Sequence, residues 1–318
     1  MEFLKLFTLT IIRKNGIRSS IVNLLGIITL VYCLIYYYTK VGKSPYKTKL
    51  EHGMMRKRIP DALIIGVKKG GTFAMAKFLQ YHPEVKIAVK ERHFFENDIN
   101  YAKGLQSYIE NMPLSGPEHL VIERTATYFN KFTVAKRVHD ANPNMKLILL
   151  VRNPIDRLVS DFLETQLYSH HHWSDFNNLV TKTYSDGRFE VHDNLWVGVD
   201  IGKYDIHYQN WAQYFPPSQM LVVSSEKFVE KPWEELERVQ NFLGISIQIT
   251  KSNFSSNTGN FWNIFCGPTG KSTCLFENKG RKHPELNETV RIALKDYYRP
   301  RVAAFETMVG MKFGWLEG

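Results

Sequence analysis

Asp61-Ala-Leu-Ile-Ile-Gly-Val-Lys-Lys-Gly-Gly-Thr72 decides how this chain is read. An apolar, β-favouring run over residues 62–67 ends in two lysines and two glycines. A helical pattern then opens at Thr72 and continues through Ala74, Met75, Phe78 and Leu79. A strand feeding a glycine turn at a helix N-terminus presents free backbone N–H groups and the positive end of a helix dipole, which suits phosphate. The stretch is not a nucleoside-triphosphate P-loop, because it lacks the Gly-Lys-Ser/Thr ending and its lysines precede the glycines. Taken alone, it also reads as an ordinary basic turn.

Beyond it the chain alternates strand-like and helical runs. Strands are expected at 62–67, 85–89, 120–122, 146–151 and 220–224. Helices are expected at 72–81, 132–140, from Pro154 onward, at 206–215, 232–243, and twice near the C-terminus. That alternation predicts an α/β fold, a central parallel sheet flanked by helices, with ligands bound beyond the carboxyl ends of the strands.

A second anion site is predicted where the apolar strand 146–151 ends at Arg152 and Pro154 opens a helix. Arg152 offers a rigid fork of donors and Ser160, about two turns along, a hydroxyl. Pairing of Arg152 with Asp156 is the competing reading. Lys279-Gly280-Arg281-Lys282-His283 forms a third basic cluster, and equally fits a solvated loop. One acid stands among the bases in Lys90-Glu91-Arg92-His93-Phe94-Phe95-Glu96. Facing a cleft, Glu91 can take a proton from a hydroxyl while neighbouring cations stabilise negative charge, and His93 can position a reacting group. A surface turn anchored by the two phenylalanines fits the same residues. The consecutive histidines 170–172 cannot converge on one ion, so no metal site and no nucleic-acid-binding pattern is expected.

The chain has 318 residues and a formal net charge of +10, which points to an anionic partner: nucleic acid, membrane surface or acidic polysaccharide. Residues 21–38 lack charged side chains and read as an uncleaved signal-anchor, with a buried helix as alternative. That divides the chain into a cytoplasmic tail (1–20), the span (21–38), a basic stem (39–60) and one large domain (61–318). The cations flanking the span favour a cytosolic domain. The glycosylation triplets at Asn253 and Asn287, and the pair Cys266 and Cys274, which could close a short loop in an oxidising compartment, favour a luminal one. Agreement between those two signals places the domain in the lumen.

Assembled, these motifs resemble the heparan sulfate glucosamine 3-O-sulfotransferases of the Golgi. The resemblance runs from about Asp61 to Trp315 and also includes Glu123-Arg-Thr-Ala-Thr-Tyr-Phe129 and Tyr204-x-x-His207-x-x-x-Trp211. It implies a nucleotide-kinase-like sulfotransferase fold, a type II Golgi membrane protein, heparan sulfate as acceptor, no nucleic-acid partner and no metal. It further implies 3′-phosphoadenosine 5′-phosphosulfate as donor. Lys69, Gly70, Gly71, Thr72 and the adjoining Phe73 would hold its 5′-phosphosulfate. Arg152 and Ser160 would bind the 3′-phosphate, and Lys279, Gly280, Arg281, Lys282 and His283 would close over the nucleotide. Glu91 matches the family's base, assisted by Lys69 and His93, while Lys90, Arg92, Glu96 and Arg124 would meet the sugar chain.

Four residues depart from the family pattern: Phe73 replaces an arginine, Arg124 a lysine, Ala126 a proline and Glu96 an aspartate. Another carbohydrate sulfotransferase (N- or 6-O-), or a catalytically weak, membrane-tethered heparan sulfate-binding protein, fits the sequence as an alternative.

Overall fold

A computed structural model describes residues 55–88, 90–167, 172, 175–192, 195–256, 262–266, 271–273 and 283–317. The expected span at 21–38, Cys274 and Lys279 to Lys282 lie outside these. Among the described residues, no helix is long and apolar enough to cross a membrane.

Four strands come first: β1 (Ala62–Gly66), β2 (Val85–Ala88), β3 (Leu120–Arg124) and β4 (Lys146–Val151). A small antiparallel ribbon follows, β5 (Thr181–Thr183) with β6 (Phe189–Val191), and then β7 (Met220–Ser224). The order β2-β3-β1-β4-β7 makes a five-stranded, wholly parallel sheet. A separate antiparallel sheet joins β8 (Phe254–Ser256), β9 (Trp262–Cys266) and β10 (Lys271–Thr273).

Both faces of the central sheet are covered, which is why β1 and β4 read as almost unbroken apolar runs. Ala62, Ile64, Ile148 and Leu150 pack with α1 (Thr72–Leu79) and with α5 (Pro232–Leu243) through Leu236, Val239 and Leu243. On the opposite face, Leu63, Ile65, Leu147 and Leu149 meet α2 (Phe132–Ala141) through Val134 and Val138, and α4 (Tyr204–Ala212) through Trp211. A third cluster joins α3 (Pro154–Thr165) to α6 (Glu288–Val309) through Leu158, Phe162, Leu294 and Tyr298.

Three expectations need correction. The two helices expected near the C-terminus are one, α6, which runs through Pro300. Pro300 and Asp296, the residue whose carbonyl loses its partner, both lie on the exposed face, while Leu294, Tyr298, Val302 and Phe305 are buried along the other. The folded unit also begins before Asp61. Arg56 exchanges two backbone hydrogen bonds with Ser115, and Arg58 pairs with Asp61 at 2.6 Å, so Met55 to Pro60 belong to the domain and not to a free stem. Strand β3 is longer than expected and carries the charged residues Glu123 and Arg124 into the sheet.

Candidate active site

Parallel strands bring the loops after β1, β2, β3 and β4 to one edge of the sheet. There β1 ends and the chain turns through Lys68, Lys69, Gly70 and Gly71 into α1. A Cβ on Gly70 would stand 2.6 Å from the carbonyl oxygen of Leu150, so only glycine fits under the β4 backbone. Gly71 has φ 90° and caps α1 with no side-chain hydrogen bond, leaving the first-turn N–H groups to an outside acceptor. Lys69 also takes a left-handed conformation, φ 70°, as does His93 at φ 50°. Such geometry costs on the order of 1–3 kcal/mol and concentrates at functional sites.

Both lysines are anchored by α3. Lys69 Nζ donates to Glu164 Oε1 at 2.9 Å, and Lys68 Nζ lies 2.8 Å from Asp161 Oδ1. Asp161 is buried and also accepts from the fully buried Arg157 at 3.0 Å. Burial acts against its charge, but Arg157 and Lys68 outweigh it and hold the carboxyl below its ordinary value. Sequence reading singled out none of Arg157, Asp161 and Glu164. Their visible signal was Arg157-x-x-x-Asp161, an i,i+4 pair on an otherwise apolar helix face.

Arg152 stands at the tip of β4. It does not pair with Asp156, and its guanidinium has no ion-pair partner among the described residues. Its carbonyl accepts from Tyr204 OH at 2.8 Å, which fixes the strand tip. Ser160 is half-buried on α3, one turn beyond Asp156. His283 lies close by. Burial first, and then the charges of Arg152 and Lys69, push its pKa down, against Asp156. Two cations, Arg152 and Lys69, and the imidazole of His283, from three parts of the chain, therefore meet where a phosphate would sit.

Glu91, in the loop after β2, is a quarter exposed. Its Oε1 accepts from Arg124 Nη1 and from the Ala126 amide at 3.3 Å, while Oε2 faces His93 Nε2 at 3.4 Å. A proline at position 126 would have no N–H to give, so this chain's alanine adds a bond to the acid. Arg124 Nη1 also reaches Thr72 Oγ1 at 3.5 Å, joining the glycine turn to the acid loop. His93 Nδ1 pairs with Glu96 Oε1, which accepts from Thr127 at 2.7 Å as well. The ring of Phe73 has Lys77 Nζ and the Arg124 guanidinium each 5.7 Å from its centre.

Thus Glu91, His93, Glu96, Arg124 and Thr72 form one network. Arg124 is buried within it, which changes its expected role as a contact on the open polysaccharide surface. Lys90 is exposed, and Arg92 is half-buried with its amide on Thr125 Oγ1 at 3.2 Å. Beneath Glu91 lies Glu123, fully buried, whose pKa burial raises to about 7. Sequence reading quoted Glu123 and Thr125 without giving them roles. Of the motif Tyr204, His207 and Trp211, each holds structure: Trp211 Nε1 donates to the Phe129 carbonyl at 2.9 Å, and His207 lies 3.3 Å from Asp200.

Residues 59–306 match the sulfotransferase domain family. Heparan sulfate glucosamine 3-O-sulfotransferase 6 of Mus musculus is 39% identical over 265 residues, covering 83% of this chain and 75% of that protein. Its human counterpart is 38% identical over 268 residues, covering 84% and 76%. The chain belongs to the heparan sulfate glucosamine 3-O-sulfotransferase family. Another member, 3-O-sulfotransferase 3B1 of Mus musculus, is 38% identical over 265 residues, and the match spans 66% of its length. A solved sulfotransferase from Alicyclobacillus acidocaldarius shares the fold, with a TM-score of 0.62 at 20% identity over 82% of this chain and all of that one. Among the described residues of this 3-O-sulfotransferase family member, no group of three His, Cys, Asp or Glu side chains is placed to hold a metal. Of its candidate glycosylation sites, Asn287 is exposed and caps α6, whereas Asn253 is half-buried and accepts from the Thr250 amide at 2.8 Å.

Proposed function

We propose that the chain transfers a sulfuryl group from 3′-phosphoadenosine 5′-phosphosulfate to the 3-hydroxyl of glucosamine units in heparan sulfate. One observation carries the reading: Arg124 ties the glycine turn, through Thr72, to the carboxylate of Glu91. A donor anchored at the first and a sugar hydroxyl directed by the second then meet over one cation.

The residues fit that donor. The first-turn amides of α1, which the Gly71 cap leaves without a side-chain acceptor, would take its phosphosulfate, and Arg152, Ser160 and His283 would face its far phosphate. The donor supplies an activated sulfur with a nucleotide leaving group. Glu91 accepts the proton of the sugar hydroxyl as that oxygen bonds to sulfur. Such assistance is typically worth 10²–10⁴-fold. Lys69 and the first-turn amides of α1 stabilise charge on the leaving phosphate oxygen as the sulfur–oxygen bond breaks. His93, held by Glu96, orients the acceptor beside Glu91. A depression lined by His93, Glu96, Asn97, Thr127 and Lys131 would receive the sugar chain.

Family membership favours the 3-hydroxyl over N- or 6-O-transfer, and the intact network argues against a merely binding role. Lyase digestion and disaccharide mapping of heparan sulfate treated with labelled donor tests the reading. Label confined to 3-O-sulfated glucosamine is expected; label at N- or 6-O-positions, or none, would refute it. We further place the domain in the Golgi lumen, anchored by residues 21–38, for which the exposed Asn287 acceptor speaks. A glycosidase-sensitive mobility shift that Asn287→Gln reduces is the corresponding expectation.

A further inference from the structure

Glu123 lies near the end of the parallel strand β3, fully buried in a sheet whose buried positions are otherwise apolar apart from Arg124 and Ser224. Thr125, also fully buried, donates its hydroxyl proton to Glu123 Oε1. Tyr108 OH donates to Oε2 at 3.4 Å. A threonine hydroxyl has one proton to give, so this bond turns its lone pairs outward, where they accept the Arg92 amide at 3.2 Å. Arg92 directly follows Glu91. Residues alternate at the strand end: Arg124 and Ala126 grip the Glu91 carboxylate, while Glu123 and Thr125 grip the backbone that carries it.

We propose that Glu123, acting through the Thr125 hydroxyl, is a positioning residue that sets the loop bearing Glu91 for proton transfer. The inference rests on the reading of Glu91 as the base. The groups facing Glu123 are Tyr108 from the 105–109 helix, Tyr128 beyond β3, and Glu91 and Arg92 from the loop. Burial raises its pKa to about 7, the Thr125 hydroxyl, the nearby Arg92 amide that Thr125 Oγ1 accepts, and Tyr108 oppose the rise, and Glu91 adds to it. The carboxyl therefore exchanges its proton near neutrality. When charged, it accepts the Thr125 hydroxyl more strongly and tightens the grip on Arg92.

The test compares kcat, acceptor KM and adenosine 3′,5′-bisphosphate binding for Thr125→Val, Thr125→Ser and Glu123→Gln from pH 6 to 8. Thr125→Val should lose roughly 10–100-fold in kcat while KM and nucleotide binding stay within about threefold, and Thr125→Ser should recover most of it. Wild-type kcat should rise with pH through an inflection near 7 that Glu123→Gln lacks. Wild-type kcat and pH profile in both Thr125→Val and Glu123→Gln, with Glu91→Gln inactive, would overturn the positioning role alone. An active Glu91→Gln would instead overturn the reading beneath it. Should Thr125→Val fail to bind nucleotide, and hence to fold, the Glu123→Gln profile decides: a retained inflection overturns the proposal.

Discussion

Arg124 Nη1 lies between Thr72 Oγ1 and Glu91 Oε1, so one guanidinium connects the helix that follows the glycine turn with the acid of the neighbouring loop. Because Arg124 is buried, this bond is little screened by salt. Arg124→Met should cut kcat by about 10–100-fold, as expected when a charged hydrogen bond worth roughly 1.5–3 kcal/mol is removed. Arg124→Lys should fall between, since an ammonium keeps the charge but ends on a differently shaped stem short of the Nη1 position that touches both oxygens. Steady-state kinetics on a defined oligosaccharide measures both.

Phe73 holds Lys77 and Arg124 against its ring. Phe73→Arg replaces two cation–π contacts, each worth about 0.5–1 kcal/mol at such a site, with repulsion among three cations. Arg124 should loosen and kcat fall several-fold, while KM for the sulfated chain drops at low salt. That affinity gain should vanish near 0.5 M salt, where the screening length is only a few ångströms. A salt titration of KM reads the effect.

Glu123 also predicts a pH dependence of stability. Burial moves its carboxyl from the ordinary 4.5 to about 7. Its folded form thus binds a proton that the unfolded chain releases, so stability is fullest below pH 4.5 and declines as pH rises through 7. Glu123→Gln removes the cost. By urea unfolding it should equal wild type near pH 4 and exceed it by about 1–3 kcal/mol at pH 8. A buried carboxyl kept at that cost fits a functional role better than a structural one.

How far the sequence carries can be followed along particular residues. Strands β1 and β4 were legible because burial on both faces forces an unbroken apolar run, and the glycine turn because its spacing has a direct backbone meaning. Strand β3 was cut short at Ile122, since Glu123 and Arg124 look like a loop until their partners are known. Apart from the neighbouring Thr125, those partners, Tyr108, Glu91 and Thr72, come from other parts of the chain, and no local period encodes such a meeting. The role of Ala126 was equally hidden: only the geometry shows its amide on Glu91. The expectation of two C-terminal helices erred in the opposite direction, because tertiary packing keeps α6 whole on both sides of Pro300.

Arg152 has no ion-pair partner among the described residues, yet sits with His283 and Lys69 in one positive field. Arg152→Ala should weaken adenosine 3′,5′-bisphosphate binding by roughly 10–100-fold, the scale of a lost charged hydrogen bond. Adenosine 5′-monophosphate, which lacks the 3′-phosphate, should bind wild type and variant alike. Calorimetry with the two nucleotides separates this contact from a general loss of fold.

Single-turnover sulfation by Glu91→Gln, measured with saturating donor beside its affinity for adenosine 3′,5′-bisphosphate, is the decisive comparison. The carboxamide keeps the shape of the side chain but has no basic oxygen to take a proton. Transfer should fall by at least about 10²-fold while nucleotide affinity stays near wild type. Transfer at the wild-type rate would remove Glu91 from the reaction and leave the sugar's proton without an acceptor in this site.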